Sequence, residues 1–170
     1  IYGNNANQGV ETSRKHTADL VSSEKDEIIF TSGATESNNL AILGLKNFGL
    51  ATKRNHIVST TLEHKAVLEP LEHLAKNGFE VTLVDVDKSG RLDPSKVEAV
   101  IRDNTLLVSV MHANNEIGIL QPIEELANLL YDTDILLHVD AAQGYGKEIK
   151  TLQHQGVDLI SISGHKIYGP

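Results

Sequence analysis

The 170-residue chain contains no cysteine. That excludes disulfides, cysteine-based zinc sites and a cysteine nucleophile within these residues. It leaves the redox compartment open, because absence of cysteine fits every compartment. No apolar run is long enough to span a bilayer. An excess of positive charge is missing too: 15 Lys and Arg stand against 23 Asp and Glu, a formal net charge of -8. This balance argues against nucleic acid or an anionic membrane as a direct partner. The opening Ile1-Tyr2-Gly3-Asn4 has neither the basic nor the apolar region of a signal peptide, so a cytoplasmic location is expected. Repeats, low-complexity tracts and linkers are also absent from the sequence.

What is present is an ordinary globular composition, with 40% hydrophobic residues, and enough length for one domain with a core. One domain over residues 1–170 is therefore expected. The sequence stops at Gly169-Pro170 directly after a candidate site, and it opens on a loop-like Tyr2-Gly3-Asn4-Asn5-Ala6-Asn7. Both features suggest a partial domain.

Strand-like and helix-like segments alternate. Residues 27–31, 56–59, 80–84, 106–111, 135–139 and 159–163 read as strands, most of them nearly continuous apolar runs. Residues 9–20, 36–48, 65–76, 93–101 and 121–130 have helical character, with Asn77-Gly78 as a stop and Asp93-Pro94 as a capped start. This alternation predicts an α/β fold, a central and mostly parallel sheet with helices on both faces. Ligands of such sheets bind beyond the carboxyl ends of the strands, so the residues after each strand carry the functional argument.

After Phe30 comes Thr31-Ser32-Gly33-Ala34-Thr35-Glu36-Ser37, small and hydroxylated residues entering a helix. Free backbone N–H groups and the helix dipole there suit a phosphate, and equally an ordinary N-cap. The Gly-Lys-Ser/Thr ending of a Walker loop is missing. After Thr60 comes Leu62-Glu63-His64-Lys65, which puts His64 at a helix start, as a cap or as a flat titratable ring facing a cleft. After Met111 comes His112-Ala113-Asn114-Asn115-Glu116-Ile117-Gly118, whose asparagines could form a turn or offer amide groups to a ligand. Asp140 ends an apolar strand and leads into Ala141-Ala142-Gln143-Gly144. An acid there is costly unless paired, with backbone N–H groups or with a cation, a metal or a protonated heterocycle. Ser163-Gly164-His165-Lys166 follows the last strand, and Lys166 is either a solvated loop lysine or an amine held in a cleft for Schiff-base chemistry. His56, His64, His112, His138 and His165 lack metal-site spacing, so no metal is expected.

Together these ends offer an anion cradle, a flat ring, amides, a carboxylate and an amine. Pyridoxal 5'-phosphate can use all of them: the cradle for its phosphate, Asp140 for the pyridine nitrogen, His64 to stack on the ring, Gln143 for the ring hydroxyl and Lys166 for the aldehyde.

The segments Phe30-Thr31-Ser32-Gly33-Ala34-Thr35-Glu36-Ser37-Asn38-Asn39, Glu63-His64-Lys65, Met111-His112-Ala113-Asn114-Asn115-Glu116-Ile117-Gly118, His138-Val139-Asp140-Ala141-Ala142-Gln143 and Ser163-Gly164-His165-Lys166-Ile167-Tyr168-Gly169-Pro170 closely resemble the NifS/IscS branch of the cysteine desulfurases. These are class V aminotransferase-fold enzymes that use pyridoxal phosphate. The resemblance covers nearly the whole chain. It implies Lys166 as the Schiff-base lysine and Ala34, Thr35, Ser163 and His165 as phosphate ligands. It implies His64 as stacking partner and proton-transfer group. Asp140 is implied at the pyridinium nitrogen, Gln143 at the phenolic oxygen and Asn115 near the ring hydroxyl and substrate carboxylate.

The implied reaction converts L-cysteine to L-alanine and an enzyme persulfide, in a homodimer that serves sulfur-acceptor or scaffold proteins of iron–sulfur cluster or thiolation pathways. Two departures accompany it. Compared with the family's loop, about ten residues are expected to be missing between Asn4 and Asn7. The family's small C-terminal domain, with its nucleophilic cysteine and its substrate-binding arginine, is expected to lie outside these residues. A selenocysteine lyase, a transaminase on the same fold and a non-catalytic binding module are the alternatives.

Overall fold

The computed structural model describes residues 2–169, and side chains from Gly3 onward. It divides into two compact units, residues 1–31 and residues 32–170. In the first unit, helix α1 spans Tyr2–Leu20. It is laced by an exposed Lys15–Asp19 pair one turn apart at 3.1 Å. The asparagine-rich residues 4–7, read from composition as a loop, continue this helix. A 3-10 turn over Lys25–Glu27 follows, closed by a capping box between Glu24 and Glu27.

Residues 27–31 do not form the expected strand. The Arg14 guanidinium lies 4.6 Å from the Phe30 ring centroid and donates to the Ile28 carbonyl. That carbonyl is therefore held by a side chain, and Ile29 is 67% exposed. The apolar run has strand propensity and no ladder.

The second unit is a five-stranded parallel sheet in the order β2-β1-β3-β4-β5. Its strands are β1 (His56–Thr60), β2 (Glu80–Val84), β3 (Thr105–Met111), β4 (Leu136–Asp140) and β5 (Leu159–Ser161). The helices are α2 (Ala34–Gly44), α3 (Lys46–Thr52), α4 (Lys65–Ala75), α5 (Pro94–Glu98) and α6 (Ile123–Leu130). The stretch 36–48, expected as one helix, is two, and the break falls at Leu45, directly after Gly44, the residue of weakest helix preference there. Strand β3 is central and buried along its whole length, which is why it reads as a nearly continuous apolar run. Edge strand β2 buries only Val84 fully.

Ile42 of α2, Val67, Leu71 and Leu74 of α4, Ile57 of β1 and Leu106 and Leu107 of β3 form one buried cluster with Phe79. Full burial of each such side chain contributes about 1.5–3 kcal/mol. That cluster fixes α2 and α4 against the sheet, and with them the residues at their N-termini.

Polar residues inside the sheet are paired across it. His138 is wholly buried, with Nδ1 at 2.8 Å from Ser109 Oγ and Nε2 at 3.0 Å from Ser161 Oγ. His56 lies between Thr105 and Thr82 in the same way. Burial holds the His138 imidazole down to a pKa of about 4, against the opposing pull of Asp140, so the ring is neutral at physiological pH. Two of the five histidines weighed as ligands are thus spent on cross-strand bonding. No group of three or more His, Cys, Asp or Glu among the described residues could hold a metal. No helix among them is long and apolar enough to cross a membrane.

Candidate functional site

A cavity of about 410 Å³ opens at the carboxyl end of the sheet, beside the N-terminus of α2. Ala34, Thr35, His64, Asn115, Asp140, Gln143, Ser163, His165 and Lys166 all line it. The strand order reverses between β1 and β3, and the loops after those strands bring His64 and Asn115 to the cavity. That is where open α/β sheets form a crevice.

The cavity has a buried floor and an exposed rim. On the floor, Asp140 at the end of β4 is 6% exposed and Ser163 after β5 is 1% exposed. Asp140 Oδ1 accepts the Ala142 backbone N–H at 3.0 Å, one of the two kinds of pairing considered for it. Its Oδ2 accepts Asn38 Nδ2 at 2.9 Å. Among the described residues no cation pairs with it. On the rim, Thr35, His64, Asn115, His165 and Lys166 are exposed. Lys166, envisaged as an amine enclosed in a cleft, lines the cavity from its open side, because the 3-10 turn Gly164–Ile167 that carries it lies at the surface.

The residues read as an anion cradle lead into a helix as expected, although no strand precedes them. Gly33 has φ +148 and caps α2. That backbone conformation suits glycine, while a Cβ there would meet open space. The first N–H groups of α2 have no intrahelical acceptor. Glu36 reaches back to the Ser32 N–H at 2.6 Å, and that bond holds its carboxyl below the ordinary range. Ser163 Oγ lies 3.0 Å from His165 Nδ1, which pairs two of the expected phosphate ligands.

His64 combines the two roles considered for it. Its Nδ1 accepts the Ala66 N–H at 3.1 Å, capping α4, while the ring lines the cavity. In the tautomer this bond requires, the proton sits on Nε2. The paired asparagines divide their work. Buried Asn114 holds the turn through bonds from Glu116 N and Ile117 N at 2.9 and 3.0 Å, and Asn115 lines the cavity. Gln143 is held near the cavity by tight packing of the residue after it. A Cβ on Gly144 would lie 1.7 Å from Nδ1 of the buried His112. The His112 ring is anchored through Nε2 to Thr151 Oγ1 at 3.0 Å, and burial lowers its pKa against the pull of Glu148.

Two residues without an assigned role in the sequence stand out. Asn38 is wholly buried on the face of α2 that also buries Ile42, one turn on. An amide at a core-facing helical position was the available signal. Glu63, beside His64, is 6% exposed, and its Oε1 accepts from Thr60 Oγ1 at 2.7 Å and Met111 N at 2.9 Å. Burial raises its pKa from 4.5 to about 8, a rise opposed by those two bonds and reinforced by Asp140. Burial thus favours the protonated form of Glu63. An acidic residue between a buried strand end and a helix start was its signal.

The arrangement can hold an anion at α2, a cationic group at Asp140 and an electrophile at the Lys166 amine. The aminotransferase class-V family model matches residues 2–170. Cysteine desulfurase IscS of Dictyoglomus turgidum is 47% identical over 169 residues, covering 99% of this chain and 43% of the relative. The crystal structure of DndA from Streptomyces lividans superposes with a TM-score of 0.97 at 56% identity, covering 99% of this chain and 47% of that one. A structure of SspA in complex with cysteine superposes with a TM-score of 0.87 at 39% identity, covering 99% and 48%. The chain spans about two-fifths of the length of the curated relatives it matches.

Proposed function

This chain belongs to the class-V aminotransferase family, and on that premise we propose that its protein is a pyridoxal 5'-phosphate-dependent cysteine desulfurase. It converts L-cysteine to L-alanine and passes the sulfur to a protein thiol as a persulfide. The observation that carries the reading is Asp140, a buried, oriented carboxylate that lines the cavity with no cation paired to it among the described residues. Burying such a group unpaired is costly, and a protonated pyridine nitrogen offsets that cost. The remaining donors fit the same molecule: the α2 cradle with Ser163 and His165 for the phosphate, Gln143 and Asn115 for the ring oxygen, and Lys166 for the aldehyde. Bound there, pyridoxal phosphate supplies an electrophilic carbonyl and a ring that accepts the electron pair released at the substrate α-carbon.

The chain's own residues then have distinct work. Asp140 keeps the ring nitrogen protonated. Lys166 Nζ is the amine that takes the α-proton. His64 has its Nδ1 lone pair committed to Ala66, so it offers its ring face and its Nε2–H, and acts as a base only on releasing the α4 cap. The thiolate that attacks the substrate sulfur comes from outside these 170 residues, since none of them is cysteine. The names of the relatives support L-cysteine as substrate, and SspA was solved with cysteine bound. The reading extends to a cytoplasmic homodimer that delivers sulfur to acceptor or scaffold proteins of iron–sulfur cluster or thiolation pathways.

Borohydride reduction of the cofactor-loaded protein, followed by peptide mapping, tests the assignment. The cofactor is expected on Lys166. Stable labelling of any other lysine refutes it.

A further inference from the structure

We infer that Asn38 is a positioning residue for Asp140: one helix, α2, both grips the phosphate through its first turn and aims the carboxylate that meets the ring nitrogen. The inference rests on the cofactor reading above and goes beyond it, to a residue that neither touches a reacting atom nor carries charge.

The geometry is specific. Asn38 Nδ2 donates to Asp140 Oδ2 at 2.9 Å across a sequence separation of 102 residues. The Ala142 N–H holds the other oxygen at 3.0 Å. With one donor on each oxygen, the carboxylate plane is fixed, and each oxygen keeps a lone pair for a ligand. Asn38 is 0% exposed, yet its Oδ1 has no hydrogen-bond partner among the described residues. Leaving a buried carbonyl oxygen unsatisfied is costly, and such groups are retained where they serve a purpose. The orientation of the amide is not arbitrary, because only its NH2 can face a carboxylate.

Asn38 lies four residues after Ala34, so both occupy one face of α2, and both line the cavity. The distance between the phosphate cradle and the amide that orients the carboxylate is thereby set within one helix. A ligand reaching from the cradle to Asp140 meets a spacing that the helix defines.

The test uses the full protein and two ligands, pyridoxal 5'-phosphate and its deaza analogue, which carries C–H in place of the ring nitrogen. Affinities are read by absorbance titration for the unsubstituted protein and for Asn38→Ala and Asn38→Asp. The aspartate variant is nearly isosteric and serves if the alanine variant does not fold. The unsubstituted protein is expected to prefer pyridoxal phosphate. Either substitution is expected to weaken pyridoxal phosphate binding by about tenfold or more, the worth of a hydrogen bond to a charged group, while binding of the analogue stays unchanged. Equal weakening for both ligands means a merely structural asparagine and overturns the inference, as does unchanged affinity for pyridoxal phosphate. In both cases borohydride labelling of Lys166 still upholds the cofactor reading. If the unsubstituted protein fails to discriminate the two ligands, or binds neither, the role of Asp140 falls and the inference falls with it.

Discussion

Replacing Glu63 by glutamine should change how the stability of this protein depends on pH, with a sign and size that follow from its burial. In the folded chain the carboxyl is 6% exposed, and its pKa stands at about 8 against 4.5 for a free side chain. Between those two values the folded state holds a proton that the unfolded state has released. Stability therefore falls as pH rises through this window and levels off above the folded pKa. One full proton difference gives a slope of about 1.4 kcal/mol per pH unit, and the whole window is worth on the order of 5 kcal/mol. Glutamine can keep the bonds that Thr60 Oγ1 and Met111 N make to Oε1, and it carries no titrating proton. In urea denaturation from pH 5 to pH 8, the unsubstituted protein should lose stability relative to Glu63→Gln at close to that slope. The difference should become constant above about pH 8. Histidines 56, 112 and 138, all depressed by burial, titrate alike in both proteins and cancel. Parallel stability curves would show that Glu63 is ionised in the folded chain, and the reasoning from its burial would be wrong.

Gly144→Ala should destabilise the protein by about 3 kcal/mol or prevent folding, since its Cβ would fall 1.7 Å from His112 Nδ1. An unchanged urea midpoint would mean the His112 ring is free to move aside. His64 separates into a cap and a ring. His64→Ala should lose about 1 kcal/mol of stability and His64→Asn nearly none, because asparagine also caps, whereas both should alter the absorbance of bound cofactor. Equal stability of the two variants would remove the capping role.

Much of the site was legible because a parallel sheet makes strand ends informative. A buried strand such as Thr105–Met111 declares itself by a nearly continuous apolar run, and whatever follows it must emerge at the same end of the sheet. His64, Asn115, Asp140, Gln143, Ser163, His165 and Lys166 needed only that rule to be placed together. The rule fails where structure depends on a partner rather than on the segment. Ile28-Ile29-Phe30 has strand composition, yet a strand exists only beside another, and Arg14 takes the Ile28 carbonyl instead. Asn4, Asn5 and Asn7 read as a loop residue by residue, although helix formation is cooperative and α1 runs through them.

Asn38 and Glu63 show a third kind of difficulty. Asn38 was visible as an amide at a core-facing helical position and Glu63 as an acid between a strand end and a helix start, but the meaning of each lies in a distant contact. For Asn38 that contact is the Asp140 carboxylate, 102 residues away. For Glu63 it is the Met111 amide, 48 residues away. Local pattern locates the ligand-facing groups of this fold because the sheet orders them. The residues that aim those groups come from elements the sheet does not order, so only the packed structure reveals them.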